Sequence, residues 1–225
     1  MLAAIDSERP DAVWSLGDVV GYGPQPNRSC ELVAAHSDVG LVGNHDLGVL
    51  GAVELVDFAP DAALAARWTA GVLTEDAREY LASLSPLAEN PSAALYHGSP
   101  RDPVWEYVLS DEAARAAIEL SSSPLCLVGH SHVALAIGHA DGELTGGLAP
   151  EGTEIGLADA ERWLLNPGSV GQPRDGDSRA AWLLLDLTAG TASFRREPYD
   201  VGQTQRELLD AALPASLASR LETGT

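Results

Sequence analysis

The stretch Leu41-Val42-Gly43-Asn44-His45-Asp46 decides how the rest of the chain is read. A short apolar run stops at an amide, an imidazole and a carboxylate in succession. As packing, that succession makes little sense, and as a polar turn it is ordinary. At the carboxyl end of a buried strand in an open α/β sheet, it is where a reactive site forms. The choice between turn and site rests on what stands before and after it.

Working outward, the pattern repeats. Ala12–Leu16 reads as a buried strand followed by Gly17-Asp18. Ala93–Tyr96 reads as a short strand that delivers His97, and Leu125–Val128 as one that delivers Gly129-His130-Ser131-His132. Each polar group alone has a bland reading as a turn residue or a satisfied histidine. Four apolar strands that each end in chemistry are better explained by one site at one edge of a sheet.

The remaining elements follow from periodicity and punctuation. Leu2–Ile5 has the pattern of a helix end. Asn27 is placed to cap a helix through His36. Residues 60–70 and 74–84 have helical spacing, with Asp61 or Thr74 as starts, and Ser110 caps a helix through Leu120. Beyond His132 the style changes to strands (Val133–Ile137, Thr153–Leu157, Arg162–Leu165, Ala181–Leu187 and Thr191–Arg195) separated by glycine-rich turns. The tail from Gln203 is helical and broken near Pro214. Strand–helix alternation followed by strands predicts an α/β protein: a mixed sheet covered by helices, packed on a second, largely antiparallel sheet.

Composition bounds the function. At 225 residues and 45% hydrophobic, the chain can bury one core, and a single domain over 1–225 is expected. There is no run of transmembrane length and no signal-like N-terminus, so a soluble cytoplasmic protein is expected. Cys30 and Cys126 lie among apolar neighbours and read as reduced core residues. The formal charge is −20, and all 13 basic residues are arginine. That field opposes long nucleic acid and anionic membranes. A small anionic substrate would need a local positive centre, either a metal ion or focused arginines.

Neutral imidazoles with a carboxylate and an amide oxygen suit a divalent transition metal: Mn, Fe, Co, Ni or Zn. The absence of thiolates argues against a closed structural zinc site. His130 and His132 would face one way on a regular strand. Across a sharp turn they could address two adjacent metals.

Gly17-Asp18-Val19-Val20-Gly21, Gly43-Asn44-His45-Asp46, His97 and Gly129-His130-Ser131-His132, in this order, resemble the signature of calcineurin-like metallophosphoesterases. Asn166-Pro167-Gly168-Ser169-Val170-Gly171-Gln172-Pro173-Arg174 resembles the small bacterial and archaeal phosphodiesterase branch of that superfamily. The resemblance covers nearly the whole chain. It implies a four-layer α-β-β-α sandwich of two mixed sheets and a phosphohydrolase, diester- or monoester-cleaving, that attacks phosphorus in line with a metal-bridging hydroxide. By the same resemblance Asp18 bridges two ions, manganese foremost, Asn44, His97 and His130 complete one shell, and His132 binds the other ion. His45 then serves as general acid or charge stabiliser, with Asp46 fixing its ring. Arg174 and Arg179 are the candidate phosphate contacts.

The resemblance also implies a first strand ending in Asp-x-His, which supplies two ligands of one metal. No such motif occurs between Met1 and Thr225. The expectation is that this strand lies before Met1, the start having been assigned too late. An inactive or mononuclear metal-binding, regulatory remnant is the alternative, and a partner-binding domain without metal is a third reading. A strand lost from the sheet would leave an edge open to self-association. The partner expected is a small phosphoester. Nucleotides, cyclic dinucleotides, dinucleoside polyphosphates and simple phosphoesters all remain candidates.

Overall fold

The computed structural model describes every residue from Met1 to Thr225. In chain order the elements are α1 (Leu2–Glu8), β1 (Trp14–Ser15), α2 (Pro26–His36), β2 (Val39–Gly40), α3 (Asn44–Leu50), α4 (Pro60–Val72), α5 (Glu75–Ala82), β3 (Leu87–Glu89), β4 (Ala94–Tyr96) and α6 (Asp111–Leu120). They continue with β5 (Leu125–Val128), β6 (Ala134–Ala140), β7 (Glu143–Leu148), β8 (Glu154–Gly156), β9 (Arg162–Pro167), β10 (Ala180–Asp186), β11 (Thr191–Glu197), α7 (Val201–Asp210) and α8 (Ala215–Thr223). A mixed six-stranded sheet has the order β3-β4-β5-β9-β6-β7; β1 pairs with β2 in parallel; β10-β11-β8 form an antiparallel sheet.

The sandwich follows from strand alternation. Leu95, Leu127 and Leu165 point to one face of the large sheet and meet Leu41, Phe194, Trp14 and Val39 from the two smaller sheets. Their neighbours Ala94, Cys126, Val128 and Leu164 point to the other face and meet α6. A period of two, with both faces covered, accounts for the continuous apolar runs of β4 and β5. On the far side of β2, α5 approaches so closely that a Cβ at Gly40 would stand 3.0 Å from the Tyr80 hydroxyl. Val49, Ala66, Ala77 and Leu81 join α3, α4 and α5 to Cys30 of α2 in one cluster. The four layers are thus α6, the large sheet, the two small sheets, and α2 to α5. Cys30 and Cys126 are both free and buried, as expected.

Local chemistry sets the helix starts. Ser110 accepts from the Ala113 amide and Thr74 from the Ala77 amide, and acidic residues follow each cap, where the helix dipole favours them. Asn27 does not cap α2. It lies inside the helix, and its amide bridges to the Val72 carbonyl and the Thr74 amide, tying α2 to the α4–α5 turn. Its short polar side chain finds a stronger pair of partners across the turn than its own helix offers. Two strands, β3 and β7, carry no alternating pattern of their own and are sheet edges formed by pairing with β4 and β6.

Parallel register aligns the strand ends. Tyr96 sits opposite Val128, and Ser15 opposite Gly40. The residues that follow therefore leave their sheets on one edge, and the Gly129 amide donates to the His97 carbonyl, 2.9 Å away. No helix is long and apolar enough to cross a membrane.

Candidate metal centre

The polar strand ends converge. Asp18, His97 and His130 bring one ligand-type atom each to within 4.8 Å of one another. His97 Nε2 stands 3.2 Å from both Asn44 Oδ1 and His130 Nδ1, and 3.5 Å from Asp18 Oδ2. Asn44, His45, His97, His130 and His132 are all buried.

The proton positions follow from the outer partners. His97 Nδ1 is 2.8 Å from the Leu16 carbonyl, and His130 Nε2 is 3.2 Å from the Trp105 carbonyl. A carbonyl only accepts, so these nitrogens carry the protons. The inward nitrogens, His97 Nε2 and His130 Nδ1, then present lone pairs to each other. Asp18 Oδ2 has no hydrogen-bond partner at all. Four acceptors gathered without a donor repel one another unless a cation lies among them, and carbonyl-oriented imidazoles are the usual support of metal ligands. His132 is set the same way by the Gln172 carbonyl, 2.7 Å from its Nδ1, leaving Nε2 unprotonated.

The backbone is shaped to bring these groups together. Asp18, His130 and His132 adopt left-handed conformations, with φ of 52°, 60° and 60°. Such conformations are costly for side-chain-bearing residues and concentrate at functional sites. The sharp turn sends His130 and His132 in different directions, where a regular strand would align them. Asn166 pins this turn, donating to the Gly129 carbonyl and the Ser131 hydroxyl, at 2.7 and 3.0 Å. Gly43 is a close approach: a Cβ there would lie 2.0 Å from Asp18 Oδ1 and 2.6 Å from His97 Cε1.

Burial dominates the electrostatics. It raises the Asp18 carboxyl to about 7, against the lowering effect of the His45 amide and then Arg174. It pushes His130 and His132 down to about 3 and lowers His97 as well. His45 falls well below its usual value through burial first, and then because a proton on it would be repelled by any on His132 and by the Arg174 guanidinium. A site that disfavours charge of either sign, yet holds a carboxylate among neutral imidazoles, is matched to a bound cation.

Two expected roles change. Asp46 does not reach the His45 ring: its carboxylate accepts from the Gly43 and Val20 amides, closing the first turn of α3, and His45 Nδ1 is buried without a partner. Backbone amides that would otherwise be orphaned at a helix start out-compete an imidazole one residue away. Arg179 is not beside Arg174. Its guanidinium is held by Asp177 and Glu151. Arg174 does face the site, in a cleft of about 740 Å³ that also contains Asn44, His45, Tyr22, Trp105 and Arg220. It donates to the Tyr22 hydroxyl and to Gln172 Oε1, at 2.9 and 3.0 Å.

Tyr22, Trp105 and Arg220 are cleft residues that the sequence reading passed over. Tyr22 had a signal, since it sits between two glycines directly after the Asp18 turn. Its ring lies 4.1 Å from that of His45. Trp105 and Arg220 had none, because a loop and a C-terminal helix reach the site only through packing.

A family profile described as the calcineurin-like phosphoesterase superfamily domain matches residues 1–190. The chain is 34% identical over 217 residues to the uncharacterized protein MJ0912 of Methanocaldococcus jannaschii, covering 94% of this chain and 86% of that one. Among solved structures, a metallophosphoesterase from Sphaerobacter thermophilus is 37% identical, with a TM-score of 0.89 over 100% of this chain and 93% of that one. The hypothetical protein PH1004 of Pyrococcus horikoshii shares the fold at a TM-score of 0.77 and 18% identity, over 100% and 91% of the two chains.

Proposed function

This chain belongs to the calcineurin-like phosphoesterase superfamily, and from that premise we propose that it is a metal-dependent phosphohydrolase acting on a small phosphoester at the Asp18–His97–His130 cluster. The family supports a phosphoesterase that uses divalent metal, and the mixed α/β fold is that of a metallophosphoesterase. The observation that carries the reading is the set of four converging acceptors, with tautomers fixed by the Leu16 and Trp105 carbonyls.

In this reading Asp18, Asn44, His97 and His130 would hold a divalent ion, and His132 would help to hold a second. Such ions neutralise phosphoryl oxygens and lower the pKa of water, with manganese the first candidate among Mn, Fe, Co, Ni and Zn. The chain's own groups do the rest. Arg174 binds and orients the phosphoryl group by its fork of donors. His45, kept neutral by burial, cannot act as a standing imidazolium; it donates an N–H to the oxygen that leaves, stabilising the charge developing there. Tyr22 holds both partners, its ring against His45 and its hydroxyl on Arg174. Small cytoplasmic phosphoesters suit the cleft better than long nucleic acid, since the −20 field repels the latter outside it.

A mononuclear, metal-binding regulatory domain is the second reading. What favours it is that Asp18, His97 and His130 form the one group of three His or carboxylate ligands that gathers within 4.8 Å. Hydrolysis of bis-p-nitrophenyl phosphate with added Mn²⁺, measured with metal content per chain, separates the two. Turnover that depends on metal and on His45 supports the hydrolase. One tightly held ion per chain and no turnover of any phosphoester would favour the regulatory domain.

A further inference from the structure

The chain has five Trp, five Tyr and two Phe, and four of these twelve, Tyr22, Phe58, Trp105 and Tyr107, line the one cleft beside the metal centre. Phe58, Trp105 and Tyr107 belong to none of the four apolar clusters that make the core, so core packing does not explain them. A single exposed ring is ordinary. Rings that touch one another along the wall of a cleft make a surface fitted to contact.

Tyr22 tilts against His45 with 4.1 Å between ring centroids, His45 meets Phe58 edge-on at 4.9 Å, and Phe58 meets Trp105 edge-on at 5.4 Å. Tyr107 is placed differently. It lies flat on His130, 13° from parallel with centroids 3.9 Å apart, and is still 47% exposed. One face is taken by the imidazole, so the other face is the open one. The loop that presents these rings is tied from within. The Ser99 hydroxyl accepts from the Arg101 and Asp102 amides, each at 3.1 Å, and Asp102 Oδ1 accepts from the Val104 and Trp105 amides, also at 3.1 Å. Arg101 Nε donates to Glu106 at 2.9 Å. A face held in place before its ligand arrives loses little freedom on binding.

The chemistry of the cleft selects what covers that face. An alkyl chain would desolvate Asp57 and Asp61, which line the same cleft, without offering either carboxylate a donor. A planar nitrogen heterocycle stacks on aromatic faces, and its ring or amino N–H groups can meet carboxylates. Resting on the phosphohydrolase reading for the phosphoryl site, we infer that the cleft contains a ring subsite with Tyr107 as its stacking face, and that the substrate is a nucleoside phosphoester and not a simple alkyl or sugar phosphate. The heterocycle stands one aromatic layer out from His130, and the sugar spans from it to the phosphoryl group. Tyr107 is a specificity residue in this account: it touches the ring and not the reacting phosphorus.

The test compares two probes that differ by the ring alone, the 5′-methylenephosphonate analogues of adenosine and of 1-O-methylribose, neither of which can be hydrolysed at phosphorus. Calorimetric Kd values are taken on Mn²⁺-supplemented wild type, Tyr107→Leu and Tyr107→Phe, each first shown folded by circular dichroism. Leucine keeps an apolar contact on His130 and removes the flat face; phenylalanine keeps both. Wild type should bind the adenosine probe at least about tenfold more tightly than the ribose probe, as stacking of one base allows. Tyr107→Leu should cut that ratio below about threefold while changing the Kd of the ribose probe less than about twofold, and Tyr107→Phe should keep the ratio. A wild-type ratio near one overturns the subsite, as does a ratio that survives Tyr107→Leu. Equal weakening of both probes by Tyr107→Leu also overturns it, since Tyr107 would then only support His130. Turnover of bis-p-nitrophenyl phosphate by wild type is scored separately. Its failure, with the binding ratio intact and dependent on Tyr107, counts against the hydrolase and leaves the ring subsite standing.

Discussion

Asp18→Asn should stabilise the metal-free protein while abolishing its response to metal. The Asp18 side chain is 9% exposed, and its Oδ2 has no partner. Oδ1 accepts the His45 amide at 2.9 Å, a bond that asparagine keeps. The new amide nitrogen would face His97 Nε2, now 3.5 Å from Oδ2, and supply the donor that this nitrogen lacks. Burial, the largest cause, raises the carboxyl from 3.8 to about 7. At ~1.4 kcal/mol per pH unit, that rise means ionised Asp18 costs the apo fold up to roughly 4 kcal/mol above pH 7. The sign is that of a raised carboxyl. The folded state holds the extra proton between pH 3.8 and about 7, so the penalty is absent below that window, grows through it and is complete above it. Asp46 is raised by the same burial and secondarily by Asp18, so part of the gain comes through relief of that neighbour. Urea unfolding with chelator at pH 5 and pH 8 measures this. Asp18→Asn should gain ~1–1.5 kcal/mol at pH 5 and ~2–4 kcal/mol at pH 8, whereas with excess Mn²⁺ the wild type should gain stability and the variant should not. A variant less stable than wild type at pH 8 without metal would refute the assignment of Asp18 as an uncompensated buried charge.

The same proton should couple to metal affinity: the apparent Mn²⁺ association constant should climb about tenfold per pH unit up to about 7 and then level off, because Asp18 must lose its proton while His130 and His132, held near 3, do not compete. Titration calorimetry in several buffers reads it, and a steep rise confined to pH 5–6 would point to histidine instead. His45→Ala should cost ~10²-fold or more in kcat on alkyl phosphoesters, less on p-nitrophenyl esters, whose leaving group needs little help, with metal content unchanged. Gly43→Ala should lose about 1–3 kcal/mol of stability and much of its metal affinity, since the added methyl overlaps Asp18 Oδ1; equal metal binding in both proteins would contradict that geometry. Arg174→Ala should raise KM for bis-p-nitrophenyl phosphate about tenfold, whereas Arg179→Ala should change it less than about twofold, because Arg179 is committed to Asp177 and Glu151.

The linear chain carried the polar residues that converge at the candidate site and most of the protein's architecture. Asp18, Asn44, His97, His130 and His132 were legible because each ends an apolar run, and burial of the run dictates where the next residue emerges. The helices with local caps, Ser110 and Thr74 above all, were legible because a cap is decided within four residues. The free, buried cysteines followed from their apolar neighbours.

What only the tertiary structure decided was partnership. Strands do not sort into sheets by chain position: β1 and β2 stand apart from β4 and β5, which join β9 and β6 in the large sheet. Pairing energy is non-local, and edge strands such as β7 exist because a neighbour offers hydrogen bonds. Asp46 and Asn27 took partners far along the chain, the Val20 amide and the Val72 carbonyl, that only folding brought near, and Arg179 took Glu151 as well as its neighbour Asp177. The carbonyls of Leu16, Trp105 and Gln172, which set every ligand tautomer, are backbone groups and leave no mark on residue identity. Arg220 belongs to the cleft only because α8 packs there, its Leu217 and Leu221 clustering with Ala65, Leu208 and Leu213. A sequence states which groups can do chemistry; the fold decides which of them meet, because meeting depends on contacts between residues far apart in the chain.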